Sequence, residues 1–389
     1  MAIGSEYLLE EETLPDYLPT RYYPIQIGQL LGARYQVVGK LGFGTTSTAW
    51  LARDLPGHRH VALKVSIQSG SYGGNVSQEL QAYERFKNGP ANHPGRAAIR
   101  TVLDSFTLPR VDGSGEHLCL VHPPLWDSMK GFLKRNPAGR VPTPILAYTL
   151  LRMFQALDYA RECRVIHTDI QTANIALGIR DTSIFETFEE AEIEYPVPRK
   201  EIDRRFIYAS RPLEFPEGNG IDLPVLCDFG SSVWGEQPHK EDVQPDVYRA
   251  PEVILQSPWS YQIDIWNLGC VVWDLYEGKH LFRGVDPEHG VYRSRAHLAE
   301  MIALLGPPPR ELLEKSKLKS KFFSDQGEFN AGIEIPPSVT LESLETNLEG
   351  EDKKLFLGLM RKMLQWDPKM RHTPKQLLED EWIQRHTAS

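Results

Sequence analysis

The sequence of 389 residues has few cysteines, no long apolar run and no excess of positive charge. Its four cysteines, Cys119, Cys163, Cys227 and Cys270, are widely separated, which argues against a disulfide framework or a cysteine metal site and favours small buried side chains. The apolar stretches are too short to cross a bilayer, and the first 18 residues are acidic where a signal peptide needs a basic start. We therefore expect a soluble intracellular protein with no membrane partner.

The charge balance is mildly acidic. Lys and Arg number 43 against 52 Asp and Glu, which gives a formal net charge of −9. This balance argues against direct binding of nucleic acid. The apolar fraction of 41% is ordinary for a globular protein, and the length predicts a body of two parts.

The pattern of the chain changes near Pro123-Pro124. Before that point it predicts four strands and one helix, over residues 34–38, 49–52, 60–65, 118–121 and Gln78–Phe86. After it, the apolar periodicity predicts helices starting at Thr143, with Thr143 as N-cap, and over Ile263–Tyr276, Ala296–Leu305 and Lys353–Leu364. The predicted fold class is α+β, with a small β-rich part followed by a larger helical part.

Two segments have compositions that predict little core. Residues 1–20 are acidic and interrupted by prolines, so we expect an extended arm. Residues 180–222 contain five glutamates close together and then four prolines, which favours a solvated surface insertion over a docking element.

A glycine-rich stretch, Leu41-Gly42-Phe43-Gly44-Thr45-Thr46-Ser47, lies between two predicted strands. Glycines let a backbone approach phosphate groups, although two glycines near a turn are weak evidence alone. Lys64 on the following strand can reach such phosphates. Glu79, fifteen residues later on a predicted helix, is the expected ion-pair partner of Lys64, with Glu84 as a less suitable alternative.

A more specific pattern follows the predicted helix that starts at Thr143. The stretch His167–Asn174 reads HTDIQTAN, in which Asp169 can accept a proton from a substrate hydroxyl and Asn174 can supply an oxygen to Mg²⁺. Asp228, in Asp-Phe-Gly after a predicted buried strand, is the second expected metal ligand. We expect His167 to pack against Phe229 rather than to act as a base.

A third set of motifs follows the first two along the chain. Tyr248–Glu252 reads YRAPE, Asp264–Gly269 reads DIWNLG, and Arg371 follows Trp366–Met370. The probability that all these motifs occur in this order by chance is negligible. Together they predict a site that transfers the γ-phosphoryl group of ATP.

These motifs resemble those of the eukaryotic protein kinase superfamily over roughly Tyr22 to Gln384. The resemblance implies a bilobal kinase fold over about 22–386, preceded by an acidic arm over 1–21. The N-lobe would cover about 22–124 and the C-lobe about 125–386. The C-lobe would carry the insertion at about 180–222. It implies ATP and Mg²⁺ as cofactors and Asp169, Lys64 and Glu79 as catalytic residues. The implied metal ligands are Asn174 and Asp228, and the implied nucleotide-binding residues are Leu41, Gly42, Phe43, Gly44, Ser47, Ala49, Ala62, Lys64, Pro123, Leu125 and Ala176. It also implies that Asp264 anchors the catalytic loop and that Glu252 pairs with Arg371.

Within the superfamily the chain looks most similar to the SR-protein kinases, on the residues Tyr23–Gly28, Ser47–Leu51, His167–Ile170, Ala296–Leu298 and Leu304–Gly306. This resemblance implies a protein substrate rich in arginine and serine, and a cytoplasmic and/or nuclear location. The sequence leaves the oligomeric state open, and we expect a monomer. Thr168 stands where many kinases have arginine, which suggests that no phosphorylation of the activation loop is needed.

Several residues depart from the family pattern. Gln171 replaces the expected catalytic-loop lysine, which removes an electrostatic contact to the transferred phosphoryl group. Ala49 and Ala176 are smaller than the aliphatic residues that enclose adenine, and His122 flanks the back of the pocket. Pro123-Pro124 removes two amide donors from the hinge but leaves the Leu125 N–H and the Pro123 carbonyl for adenine.

The predicted substrate groove also departs from the pattern. Arg293-Ser294-Arg295-Ala296, just before His297, are basic or neutral where the family is acidic. Like charges disfavour an arginine-rich peptide, and Asp286 and Glu288 compensate only partly, so we expect weakened or altered recognition. An active serine/threonine protein kinase is the leading hypothesis. A nucleotide-binding pseudokinase that acts as a scaffold is the alternative, and a small-molecule kinase is disfavoured by the third set of motifs.

Overall fold

A computed structural model describes residues 4, 7–67, 73–110, 113, 115–203, 205–216, 218, 220–235 and 237–388. The chain divides into two compact units. The first unit comprises Met1–Tyr83, Arg100–Asp127 and Leu177–Asp222. The second unit comprises Glu84–Ile99, Ser128–Ala176 and Leu223–Ser389.

Strands dominate the N-terminal part of the chain, and helices dominate the C-terminal part. The strands are β1 (Leu30–Leu31), β2 (Tyr35–Phe43), β3 (Ser47–Asp54), β4 (Arg59–Ser66), β5 (Asp104–Pro109), β6 (Glu116–His122), β7 (Val165–Ile166), β8 (Ile175–Ile179), β9 (Arg199–Ile202), β10 (Arg205–Tyr208), β11 (Ile221–Leu226) and β12 (Val233–Trp234). The α-helices are α1 (Gly73–Asn88), α2 (Met129–Arg135), α3 (Thr143–Glu162), α4 (Ser183–Glu194), α5 (Pro251–Ile254), α6 (Gln262–Glu277), α7 (Ser294–Leu305), α8 (Arg310–Glu314), α9 (Lys319–Phe322), α10 (Leu341–Leu344), α11 (Gly350–Met363), α12 (Pro374–Leu378) and α13 (Glu381–Thr387).

The first unit is built on an antiparallel sheet in the order β1-β2-β3-β4-β6-β5. One face of the sheet buries residues such as Val37, Trp50, Leu63 and Val121 in a single core. The four predicted strands and the helix over 78–86 are therefore confirmed, each with somewhat longer bounds in the structure.

The prediction that residues 180–222 form a solvated insertion with little core is wrong. This segment forms α4 and the β9–β10 hairpin, and its residues Val197 and Tyr208 belong to the core of the sheet. Phe188 of α4 packs so closely on β2 that a Cβ atom at Gly39 would lie 2.7 Å from its ring. The composition misled because Ile184, Phe185 and Phe188 of α4 are buried against the protein, while most of its glutamates lie away from that face.

The described part of the N-terminal segment is not an extended arm either. It contains two 3-10 turns, Glu10–Thr13 and Pro19–Arg21, and the side chain of Glu11 is buried. Glu11 and Glu12 are paired with lysines of the first unit, which a composition count cannot reveal.

The second unit is mostly helical. Helix α6 is buried from Ile263 to Tyr276 and ends at Gly278, whose φ of +66° suits the left-handed conformation of a helix C-terminus. The predicted apolar face of α3 is confirmed, but Thr143 is the first helical residue and Pro142 is the N-cap. Among the described residues, none of the helices is long and apolar enough to cross a membrane.

Candidate active site

The glycine-rich stretch forms the turn between β2 and β3 in the first unit. The Gly44 N–H donates to the Ser47 carbonyl over 2.9 Å, which closes the turn. A Cβ atom at Gly42 would meet nothing within 4 Å, so this stretch of backbone is open to an approaching group. Gly42 lies opposite Ala49 in the sheet, and Ala49 lies opposite Lys64, which brings the loop, Ala49 and Lys64 together.

Lys64 and Glu79 form the predicted ion pair within the first unit. Lys64 Nζ lies 2.9 and 2.8 Å from the two carboxylate oxygens of Glu79. Both side chains are largely buried, at 16% and 8% exposure, whereas the alternative partner Glu84 is exposed. This pairing holds the lysine on β4 against helix α1.

Asp169 lies in the second unit and is oriented by two neutral amides. Gln171 Nε2 donates to Asp169 Oδ1 and Oδ2 over 3.0 and 3.1 Å. Asn174 Nδ2 donates to Asp169 Oδ2 over 3.0 Å and to its carbonyl over 2.9 Å. Burial raises the pKa of Asp169, while His167, Gln171 and Asn174 oppose this change.

His167 is structural, as predicted. Its ring centroid lies 4.9 Å from that of Phe229, the side chain is fully buried, and Nε2 lies 3.0 Å from the Cys227 carbonyl. The backbone of the same loop is held by α6, because the N–H groups of His167 and Thr168 donate to the carboxylate of Asp264 over 2.7 and 2.9 Å. The predicted anchoring by Asp264 is therefore confirmed.

Asn267 is a second anchor that the sequence reasoning missed. Its Oδ1 accepts from the Ile170 N–H over 3.1 Å, and its Nδ2 donates to the Ile170 carbonyl over 2.6 Å. Asn267 lies three residues after Asp264, so both side chains point to the same face of α6. The amide is fully buried and therefore needs partners, but the sequence shows only a polar residue in a mostly apolar helix.

The backbone adopts left-handed conformations at two non-glycine residues of the site. Thr168 has a φ of +67° and Asp228 a φ of +61°. Such conformations are costly and persist where surrounding bonds hold them. Thr168 is held by Asp264 and by its own Oγ1, which donates to the Ser231 carbonyl over 2.7 Å.

The expected metal ligands both lie in the second unit. The Cys227 N–H donates to the Asn174 carbonyl over 2.8 Å, which places Asp228 beside Asn174 in the fold. The amide nitrogen of Asn174 donates to Asp169, so its amide oxygen is the atom suited to a metal ion. Carboxylate and amide oxygens are the donors that Mg²⁺ prefers, and the ion would supply positive charge against phosphate oxygens. The donor set therefore fits Mg²⁺.

The predicted pair of Glu252 and Arg371 is confirmed. Arg371 Nη1 and Nη2 lie 2.6 and 2.7 Å from Oε1 and Oε2 of Glu252, and both side chains are buried. The guanidinium also lies 5.0 Å from the ring centroid of Trp266. The pair joins the end of the YRAPE motif to the segment after α11.

The remaining predicted nucleotide-binding residues are distributed over both units. Ala62 on β4 lies opposite His122, and Pro123 and Leu125 follow the end of β6, all in the first unit. Leu41, Phe43 and Ser47 belong to the glycine-rich turn of the same unit. Ala176 lies on β8 in the second unit, where it is bridged to Ser128.

Arg295, which the sequence predicts to repel a basic peptide, is paired with carboxylates of its own unit. Its guanidinium pairs with Asp286, with Nη2 3.0 Å from Oδ1, and also with Glu288. These bonds hold the pKa of the fully buried Asp286 well below its usual range. The positive charge of Arg295 is therefore neutralised within the fold, and the Asp286 carboxylate is already bound.

Comparisons with known proteins identify the family of the chain. The protein kinase domain profile matches residues 218–383. A serine/threonine protein kinase of Aspergillus fumigatus is 39% identical over 98% of this chain and 92% of its own length. The serine/threonine-protein kinase SRPK of Physarum polycephalum is 28% identical over 98% of this chain and 93% of its own length.

A crystal structure of a kinase domain has a TM-score of 0.71, covers 93% of this chain and 99% of that chain, and is 24% identical, so it supports the fold. The likeness to the Aspergillus kinase extends over nearly the whole of both chains. The protein therefore belongs to the serine/threonine protein kinases of the eukaryotic protein kinase superfamily, among relatives that include an SRPK kinase.

Proposed function

We propose that this kinase transfers the γ-phosphoryl group of ATP to serine or threonine in basic, arginine-containing protein segments. The observation that carries the substrate class is an acidic groove in the second unit. The groove has a volume of about 530 Å³, and its charged lining residues are Glu288, Glu300 and Glu334. Its apolar residues include Val285 and Ile335, both more than 40% exposed.

The charges of this groove favour arginine. The Glu288 carboxylate already binds Arg295. The Glu300 carboxylate accepts hydrogen bonds from the backbone N–H groups of Arg283 and Gly284. Glu334 is exposed and offers a carboxylate to a guanidinium group. Acidic residues beside apolar side chains would retain a basic segment while its serine reaches the transfer site.

The roles of the site residues are part of this proposal. Asp169 accepts the proton of the substrate hydroxyl, and its orientation by Gln171 and Asn174 supports that role. Lys64, held by Glu79, contacts the ATP phosphates together with the glycine-rich loop. Asn174 and Asp228 would hold Mg²⁺.

The test uses labelled ATP, Mg²⁺ and two serine peptides that differ only in arginine or glutamine at the flanking positions. The arginine peptide is the expected substrate, and Asp169→Asn should abolish its labelling while ATP binding persists. Glu334→Gln should raise the KM of the arginine peptide several-fold. Glu314→Gln, which changes an exposed glutamate of α8 outside the groove, is the matched control. Equal use of both peptides, or no effect of Glu334→Gln, would contradict the substrate class.

A second candidate function is a nucleotide-binding scaffold without phosphoryl transfer. It is favoured by Gln171, which brings no positive charge to Asp169 and contacts both of its carboxylate oxygens. Binding of ATP without labelling of any peptide in a broad panel would support the scaffold. Labelling that disappears in Asp169→Asn would exclude it.

A further inference from the structure

Three consecutive glutamates of the N-terminal segment each bind a different side chain of the first unit. Glu10 accepts from Ser210 Oγ over 2.6 Å, and Glu11 pairs with Lys40. Glu12 pairs with Lys200, whose Nζ lies 3.0 Å from both carboxylate oxygens. These contacts fasten the segment to β2 and to the β9–β10 region.

Lys40 is deeply buried. Only 1% of it is exposed, and Nζ binds Glu11, the Tyr208 carbonyl at 3.0 Å and, more distantly, Glu10 at 3.7 Å. A buried ammonium group is tolerated only when it is paired and hydrogen-bonded. The N-terminal segment supplies the carboxylate that this lysine needs.

Lys40 lies directly before the glycine-rich loop on β2. Its ammonium group is 5.4 Å from the ring centroid of Phe43 and 6.0 Å from that of Trp50. At this distance a cation attracts the face of an aromatic ring. The pairing of β2 with β3 shifts register between Lys40 and Gly42, so the regular ladder is interrupted where the loop begins. The contact of Lys40 with Phe43 therefore adds to the hydrogen bond between Gly44 and Ser47, at a point where strand pairing is irregular.

We propose that Lys40 is a positioning residue for ATP binding, and that its pairing with Glu11 makes the N-terminal segment part of the nucleotide-binding unit. The ammonium group restrains Phe43, and with it the backbone of Gly42 and Gly44 that approaches the phosphates. This inference rests on the proposed role of the glycine-rich loop. A loop already held in its binding conformation loses less entropy when ATP binds.

The test compares two double variants of the full-length protein. Lys40→Met with Glu11→Met removes a buried ion pair without leaving one charge unpaired, so the fold is expected to survive. Lys200→Met with Glu12→Met removes the neighbouring buried pair and is the matched control. In a titration with MgATP, the Lys40/Glu11 variant should bind with about tenfold lower affinity. The control should bind as the wild type does, because Lys40 and not Lys200 contacts the ring of Phe43 in the loop.

Two further variants test the route through Phe43. Lys40→Arg keeps the cation and should retain most of the affinity for MgATP. Phe43→Leu should weaken binding by itself, and combining it with the Lys40/Glu11 variant should add little, because interacting residues are not additive. Phe43 is 39% exposed, so this variant tests the proposal even if the buried changes prevent folding.

Each outcome has a defined consequence. Equal losses of affinity in the two double variants would overturn the proposal, because a general loosening of the first unit would then explain both. Unchanged affinity in the Lys40/Glu11 variant, or full additivity with Phe43→Leu, would also overturn it. A wild-type protein that binds no MgATP would instead refute the proposed function itself.

Discussion

Gln171 and Asp169 form a side-chain pair in which one neutral amide nitrogen contacts both carboxylate oxygens, at 3.0 and 3.1 Å. The pair orients Asp169 without adding positive charge. Gln171 thus keeps a positioning function at a place where the family pattern has lysine, and it leaves the electrostatic function unfilled. Because orientation of Asp169 and supply of positive charge are separate functions, two different substitutions of Gln171 should have opposite effects on kcat.

Gln171→Met should lower kcat roughly tenfold to a hundredfold, because Asp169 loses a donor that fixes its carboxylate. Steady-state kinetics with saturating ATP would measure this change. Gln376→Met, a substitution of the same type on α12, is the control and should leave kcat unchanged. A wild-type kcat in Gln171→Met would show that Asn174 alone orients Asp169.

Gln171→Lys should raise kcat, by up to about tenfold, because the ammonium group can contact both Asp169 and the transferred phosphoryl group. The increase should appear in kcat more than in the KM for ATP, since the added charge acts most on the transition state. A fall in kcat would mean that the lysine pairs with Asp169 and is not available to phosphate.

The pH dependence of kcat should reflect the environment of Asp169. Burial raises its pKa above the ordinary value of 3.8, so protonation, and loss of the proton acceptor, should begin at a higher pH than for an exposed aspartate. A kcat profile measured downwards from neutral pH should show this acidic limb. An acidic limb no higher in pH than that of an exposed aspartate would contradict this prediction.

Arg371→Met should destabilise the protein by about 3–5 kcal/mol, because it leaves the buried carboxylate of Glu252 unpaired. The free energy of unfolding can be measured by urea denaturation. The double variant Arg371→Met with Glu252→Leu should lose less, because no charge then remains buried. Equal losses in the single and double variants would contradict this explanation.

His280 should stabilise the protein mainly at acidic pH. Its Nδ1 lies 2.6 Å from Oδ2 of Asp274, and that hydrogen bond raises the pKa of His280 above 6.5. The stabilisation is complete below the unfolded pKa and is lost as the pH rises through the folded pKa. His280→Asn should therefore lower the melting temperature by about 2 °C at about pH 5.5 and by almost nothing at about pH 9.

Activity should not require phosphorylation of the activation segment, residues 228–252. Thr168 is buried and binds the Ser231 carbonyl, and Arg249 pairs with Asp242 and Asp246 of the same segment. These contacts are made without a phosphate group. Purified protein treated with phosphatase should keep its kcat, and loss of activity after that treatment would refute the prediction.

Much of the site could be predicted from the sequence because its chemistry depends on short motifs. The pairing of Lys64 with Glu79 follows from a strand, a helix and a spacing, and Asp264 follows from a motif on a predicted helix. Asn267 was available in the same motif, but nothing in its spacing distinguishes an anchor from a surface amide. Its burial, which the tertiary structure determines, makes that distinction.

Charge was the property that the sequence predicted least well. Arg295 reads as a repulsive cation, yet Asp286 and Glu288 neutralise it within the fold. The acidic segment over residues 1–20 reads as an extended arm, yet Glu11 is buried against Lys40. Residue counts give the sign of a charge, whereas its effect depends on the distance to a partner and on access to water.

The sequence by itself determined the superfamily and the α+β class, and it predicted the residues of the transfer site, because motif order and apolar periodicity are local properties of the chain. Only the tertiary structure decided that the N-terminal segment and residues 180–222 pack into the first unit. Both depend on contacts between segments far apart in the sequence, such as Lys40 with Glu11 and Gly39 with Phe188. The fold alone brings such pairs within reach, so no local pattern encodes them.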